Sequence, residues 1–178
     1  MSEETNTNID NRVLCSSIWA KIAEQIERTG HLIGLTPHGC MDWTPPIAGA
    51  WPAGMLLGHL LDCLAGFCAA LCAVAPERLA GLEELRKMPV NFRCSPSEAA
   101  GRVAAYRASI EEGFAAITDK DLRIKIPTVF VTEGETLLTL LLGNLEHLIN
   151  HKHQLFMYLK LMGTDVRSAD LYHFRTAE

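Results

Sequence analysis

The chain has 178 residues, a net charge of -5, and 48% hydrophobic but only 7% aromatic residues. This length suits one domain with a sizeable core, and the composition is typical of a helical protein rich in alanine and leucine. An acidic balance without a lysine or arginine run argues against nucleic-acid binding. We predict a flexible N-terminus over 1–9 and a single domain over 10–178.

The cysteines predict a reducing compartment. Six are present, and none forms a C-x-x-C pair: Cys15, Cys40, Cys63, Cys68, Cys72 and Cys94. The N-terminal residues are polar and acidic, unlike a signal peptide. We therefore expect reduced core thiols in a cytoplasmic protein. A thiolate ligand or nucleophile is the alternative, which the lack of an evident cationic neighbour disfavours.

The first predicted helix begins at about Asp10 or Asn11 and ends at Ile33, with an isoleucine-rich stripe along one side. The loop over 36–49 contains three prolines and two glycines, which forbid regular structure. The second helix begins near Pro52 and ends at about Val74.

The second helix is apolar enough to raise the question of a membrane span. Between Pro45 and Pro76 the ionisable side chains are His59, Asp62 and cysteines. A stretch of this length can cross a bilayer. However, His59 and Asp62 would then lie near the bilayer centre, which is costly. We therefore predict a buried bundle helix and no membrane.

Small residues recur along the second helix. Every fourth position belongs to one stripe, which runs Ala50, Gly54, Gly58, Asp62, Gly66, Ala70 and Val74. Because glycine costs roughly 1 kcal/mol relative to alanine inside a helix, close packing has to offset it. The stripe predicts the close approach of another helix, either within the chain or from a second subunit.

Two further helices follow, separated by long connections. Residues 77–94 form a charged connection with a short helical piece at Glu77–Lys87, long enough to cross the bundle end. A third helix has Ser95 as its cap and ends at about Ile117. An irregular connection with a short extended piece at 124–131 leads to a fourth helix from near Thr136 to Gly163. These elements predict an all-α fold, a four-helix bundle with crossover connections.

Two histidines of the fourth helix suggest a metal site. His147 and His151 are four residues apart, which turns them only about 40° from each other on a helix. Such a pair can hold one divalent ion, although the spacing also arises by chance. The H-E-x-x-H motif of zinc proteases is absent because Leu148 occupies the glutamate position.

His59 is the candidate third ligand, since catalytic zinc sites have three protein ligands plus a water. It lies in the middle of the apolar second helix. A core histidine with a hydrogen-bonded neighbour is the alternative interpretation. The histidine pair favours a site, because facing helices of a bundle are where such sites are built.

Other polar residues surround the predicted site. Gln154 lies three residues beyond His151, on the same face, and Asp62 lies three beyond His59; both are candidates for hydrogen bonds to the ligands. Asn144 and Asn150 are weaker candidates, better explained as boundary residues. His153 is turned about 200° from His151 and is not expected to be a ligand.

The order of these motifs resembles the DinB/YfiT-like superfamily. The resemblance is carried by His59 in Gly-His-Leu-Leu after a Trp-Pro helix start, and by His147-x-x-x-His151-Lys-x-Gln154 leading into Tyr158-Leu-Lys-Leu-Met-Gly163. Asp42-Trp43-Thr-Pro45 and Asp170-Leu-Tyr172 are also similar. It covers nearly the whole chain after residue 10.

The resemblance implies a four-helix bundle that binds zinc, nickel or iron through His59, His147 and His151, in a homodimer. It also implies the activity of some members, thiol S-transferases that use a low-molecular-weight thiol, or related isomerases. From the chemistry of a three-histidine metal we expect a metal-dependent hydrolase or thiol S-transferase acting on a small-molecule substrate. A metal would lower the pKa of water or a thiol toward neutrality. No carboxylate is assigned as a general base, and catalytic residues stay unassigned. The rival is a non-catalytic metal-stabilised or ligand-binding bundle.

Overall fold

Six α-helices dominate the part of the chain that the structure describes, a computed structural model covering residues 10–129 and 131–172. In chain order they are α1 Val13–Gly34, α2 Ala53–Val74, α3 Ala80–Lys87, α4 Pro96–Ala116, α5 Leu137–Leu161 and α6 Ser168–Tyr172. Short 3-10 helices occupy Asp10–Arg12, His38–Cys40, Pro76–Arg78 and Asp121–Arg123. The all-α prediction is confirmed. The predicted flexible segment 1–9 lies outside the described residues.

The four long helices pack in a fixed order around one core. Both α1 and α2 pack against α4 and α5. Helices that follow one another, α1 and α2, therefore lie at opposite corners, as do α4 and α5. The segments 35–52 and 117–136 make these diagonal connections. The 75–95 connection, which was expected to cross the bundle end, instead joins the neighbours α2 and α4 and carries α3.

Helix α2 is the most buried element of the core. Leu56, Leu60, Leu64 and Phe67 are each fully inaccessible to solvent. This helix is long and apolar enough to span a membrane, but 67% of its most apolar window is buried inside the fold. That burial is typical of a core helix in a soluble protein.

Side-chain hydrogen bonds cap the N-termini of the helices that pack around α2. Ser95 Oγ accepts a hydrogen bond from the Glu98 N–H at 3.2 Å, as predicted. Thr136 caps α5 by accepting from the Thr139 N–H at 3.1 Å. The N-terminus of α1 is capped by a residue far away in the sequence: the Cys15 N–H donates to Asp119 Oδ1 at 2.8 Å.

The predicted extended piece forms a small hairpin against the start of α5. Strand β1, Lys125–Ile126, pairs antiparallel with β2, Glu135–Thr136. Phe130 of that piece lies outside the described residues. At the other end of the chain, α6 packs on α1, where Asp170 Oδ1 lies 3.1 Å from His31 Nε2. The hairpin thus packs at the start of α5, and α6 packs on α1.

Candidate metal centre

The glycines of α2 allow a loop to lie directly on the helix. A Cβ at position 58 would lie 1.8 Å from the carbonyl oxygen of Phe92. The Asn91 N–H donates to the Gly58 carbonyl at 3.2 Å, and the Cys94 N–H donates to the Gly54 carbonyl at 3.0 Å. The small-residue stripe therefore accommodates the segment 91–94 of the same chain at these two positions, rather than another helix.

Farther along the stripe, α2 meets α5. A Cβ at Gly66 would lie 2.5 Å from Asn144 Oδ1. Asn144 is therefore a packing residue between the two helices, and Asn150 is exposed. Close approach at Gly66 brings the histidine-bearing turns of α2 and α5 face to face.

Three imidazoles converge between α2 and α5. His59 Nε2 lies 3.1 Å from His147 Nε2 and 3.1 Å from His151 Nε2. All three side chains are half-buried. Zinc–nitrogen bonds of 2.0–2.1 Å place two nitrogens about 3.3 Å apart in a tetrahedral site, so this spacing approaches that of metal ligands.

The outer nitrogens of two rings face amide oxygens, which favours the Nδ1–H tautomer of both rings. His59 Nδ1 lies 2.6 Å from Asn91 Oδ1, so Nδ1 carries the hydrogen and donates. His151 Nδ1 donates in the same way to Gln154 Oε1 at 2.8 Å. A neutral imidazole has one N–H, so in this tautomer both Nε2 atoms present lone pairs to each other across 3.1 Å.

A hydrogen-bond chain fixes the orientation of the Gln154 amide. Its Nε2 donates to the Tyr158 hydroxyl at 3.2 Å, and that hydroxyl donates to the Trp51 carbonyl at 3.1 Å. The carbonyl oxygen of Gln154 is therefore left for His151. The chain links α5 to the residue just before α2, and so positions the His151 ring.

Burial favours the neutral form of His147 and His151. It lowers the pKa of His147 and of His151, and the neighbouring His59 lowers both further. Neutral imidazole is the form that binds metal.

A small cavity opens beside the cluster. It has a volume of about 260 Å³ and is lined by Trp51, Met55, His59 and Asn91. The Trp51 ring lies edge-on to His59, with ring centroids 4.7 Å apart, and is 42% exposed. A small molecule in this cavity would therefore contact one imidazole and an apolar wall.

Comparison with known proteins identifies the fold. No protein-family model and no curated protein matches the chain. The structure is similar to the crystal structure of a DinB-like protein, YjoA, from Bacillus subtilis, with a TM-score of 0.62 over 83% of this chain and 92% of that one. The chain has a DinB-like fold. The sequences are 20% identical, so the likeness carries the fold and not the activity.

Within this DinB-like fold, Asp62 lies farther from the cluster than the sequence suggests. Its Oδ2 is 3.8 Å from His59 Nδ1, beyond hydrogen-bond distance, and the side chain is 36% exposed. Asn91 takes the hydrogen bond instead. Sequence reasoning missed Asn91, because it lies in the connection after α3 and no helical spacing relates it to His59.

His153 lies apart from the cluster, as its position on the helix predicts. It is exposed, and its ring lies 6.1 Å from that of Phe156. The chain thus brings together three of the histidines that the sequence singled out.

Cys63 is a second residue that sequence reasoning did not place at the site. Its sulfur and the ligand atoms of His59 and His147 all lie within 4.8 Å of one another, a group that could hold a metal ion. The thiol is buried and donates to the His59 carbonyl at 3.5 Å. Burial raises its pKa to about 12, so without a metal it is protonated. The spacing of four residues from His59 was the available signal. Because His151 Nε2 lies 3.1 Å from His59 Nε2, we take His151 as the third ligand.

Proposed function

We propose that the chain binds one divalent metal ion through the Nε2 atoms of His59, His147 and His151. The observation that carries the proposal is the pair of bare lone pairs on His59 and His151, 3.1 Å apart. Two acceptors in that position repel each other unless a cation lies between them. The donor set, three neutral imidazoles, suits zinc, nickel or iron.

Hydrogen bonds from outside the cluster support this role. Asn91 and Gln154 each accept from the Nδ1 of a proposed ligand. Such partners fix ring orientation and make the ligating nitrogen more basic. The predicted role of Gln154 beside the metal thus has a direct contact to support it, while Asn91 fills the role proposed for Asp62.

We propose further that the metal serves a hydrolase or a thiol S-transferase. A divalent ion in such a site supplies Lewis acidity, which makes hydroxide or thiolate available near neutral pH. The chain supplies orientation through Asn91 and Gln154, and a mainly apolar wall through Trp51 and Met55. No ionised side chain lines this cavity among the described residues, so the wall favours a neutral or apolar substrate portion.

Turnover by the metal-loaded protein tests this activity. Zinc- and nickel-loaded protein should be assayed against a panel of low-molecular-weight thiols with electrophiles, and of simple esters and amides. We expect metal-dependent turnover that His59→Ala abolishes. Stoichiometric metal without turnover on any member would support the rival, a metal-stabilised or ligand-binding bundle. The buried sulfur of Cys63 is the specific observation that favours this rival.

Assembly and location remain proposals. The cysteines of the described residues are all free thiols, in keeping with a cytoplasmic protein. We retain the homodimer that the family resemblance implies, and a solution mass equal to one chain would contradict it.

A further inference from the structure

Each of the two facing helices presents a pair of metal-binding side chains with the same spacing. His147 and His151 are four residues apart on α5, and His59 and Cys63 are four residues apart on α2. Residues so spaced lie one above the other on a single helix face. Because α2 and α5 pack together, the two pairs face each other, and the ligand atoms of Cys63, His59 and His147 lie within 4.8 Å of one another.

We infer that Cys63 is the fourth ligand of the proposed metal, joining the three imidazoles from the buried side. The inference rests on the proposed metal site and adds a sulfur donor to it. Cys63 is 1% exposed, whereas the three histidines are half-buried, so the sulfur lies on the core side of the cluster.

The Cys63 sulfur needs only a short movement to reach the distance from the histidine nitrogens that a shared metal requires. Zinc–sulfur bonds of 2.3 Å and zinc–nitrogen bonds of 2.0–2.1 Å place sulfur and nitrogen about 3.6 Å apart in a tetrahedral site. The ligand atoms of Cys63, His59 and His147 lie within 4.8 Å of one another. The sulfur donates a weak hydrogen bond to the His59 carbonyl at 3.5 Å, and a change of staggered rotamer at Cys63 would break it.

Coordination replaces that hydrogen bond with a stronger interaction. The S–H bond breaks, the sulfur–metal bond forms, and the proton leaves to solvent, with no change in oxidation state. Thiolate together with imidazole selects soft or borderline ions such as zinc and cobalt over magnesium or manganese. Water or substrate then has to reach the ion from the side of the Trp51 cavity, as an additional ligand.

Cobalt-loaded protein provides a direct test. A cobalt–thiolate bond gives a near-ultraviolet charge-transfer band that imidazole ligands do not give. We expect this band in the wild type and its complete loss in Cys63→Ala and Cys63→Ser, while visible d–d absorption shows that cobalt stays bound to the imidazoles. Cys68→Ala is the matched control, because Cys68 is equally buried on the same helix and lies outside the cluster. It should keep the band.

X-ray absorption of zinc-loaded wild type needs no variant. One sulfur at about 2.3 Å with three nitrogens at about 2.0–2.1 Å would support the inference. Stoichiometric zinc with nitrogen and oxygen neighbours only would overturn it and leave the three-histidine proposal standing. A cobalt band that survives in Cys63→Ala would also overturn it. Absence of any metal binding by the folded wild type would overturn both.

Discussion

Adjacent residues on α5 bury polar groups on its two sides in different ways. Toward α2, His151 joins a cluster of imidazole nitrogens beside a cavity. Toward α1, Lys152 is 4% exposed and donates from Nζ to Gln25 Oε1 at 2.8 Å. Burial, followed by the nearby Arg28, lowers the pKa of Lys152 to about 8. A buried, perturbed group therefore occurs on both sides.

The difference lies in how the donors and acceptors are matched. The Lys152 ammonium donates to the Gln25 oxygen, so here a donor meets an acceptor of the same chain. His59 and His151 instead point two acceptors at each other, and their donors are used on the outer side. An unmatched set of acceptors indicates a missing cation, whereas burial or a shifted pKa alone does not. The α1 side is therefore structural and the α2 side is the candidate site.

Removing a proposed ligand tests this contrast with the largest expected effect. His59→Ala and His151→Ala should each weaken zinc binding by more than about 100-fold, because each variant removes one of the three imidazoles that form the proposed site. Zinc at 100 times its dissociation constant should stabilise the wild type by about 2.7 kcal/mol and neither variant. Thermal unfolding with and without zinc measures this. His153→Ala is the control and should behave as the wild type.

Lys152→Ala, on the α1 side of α5, should bind zinc as the wild type does but should have a lower free energy of unfolding. Lys152→Ala should cost about 2–4 kcal/mol, because it leaves a cavity and an unpaired buried Gln25 oxygen. The double variant Lys152→Met with Gln25→Leu should recover part of that loss, since both partners become apolar. Urea unfolding of the metal-free wild type and of both variants measures these differences in the free energy of unfolding. Loss of zinc binding by folded Lys152→Ala would show that the two sides are not separate.

A smaller effect is expected from the groups that orient the imidazoles. Asn91→Ala should weaken zinc binding by about 10- to 100-fold, because the His59 N–H loses its acceptor. Gln154→Leu should act similarly through His151. Asn150→Ala is the matched control for an exposed asparagine and should leave affinity unchanged. Equal affinities for Asn91→Ala and wild type would mean that His59 does not need this contact.

The smallest effect belongs to the cap of α1, far from both sides of α5. The N–H of Cys15 holds the pKa of Asp119 below its usual 3.8. A carboxyl with a depressed folded pKa stabilises the fold above its unfolded pKa, and this contribution is lost as pH falls through the folded pKa. Asp119→Ala should therefore be less stable than wild type at neutral pH, and the gap should close below pH 3.8. Urea unfolding at a series of pH values measures this difference in stability. A difference that does not change with pH would contradict the prediction.

Helical spacing made most of the site predictable. His147, His151 and Gln154 lie on one helix, and their relative directions follow from the 3.6-residue period. Placing His59 at the site required only the assumption that its helix, α2, faces α5. Asn91 could not be predicted, because it reaches His59 through a loop that lies on Gly54 and Gly58. Cys63 lies four residues from His59, but a cysteine in an apolar helix is explained equally well as a core residue.

The fold was predictable in its elements and less so in their connections. The helices follow from apolar periodicity, proline and caps such as Ser95. The diagonal placement of α1 and α2 depends on which faces pack together, and chain length alone did not identify the connections that cross. The burial of Lys152 depends on Gln25 of another helix, so a charged residue inside an amphipathic pattern gave no sign of it.

The central claim is that three imidazoles between α2 and α5 hold one metal ion. Elemental analysis of zinc-loaded, dialysed wild type and His59→Ala, purified side by side, tests it most directly. We predict one zinc ion per chain in the wild type and essentially none in the variant. Full zinc content in folded His59→Ala, or none in the folded wild type, would contradict the account.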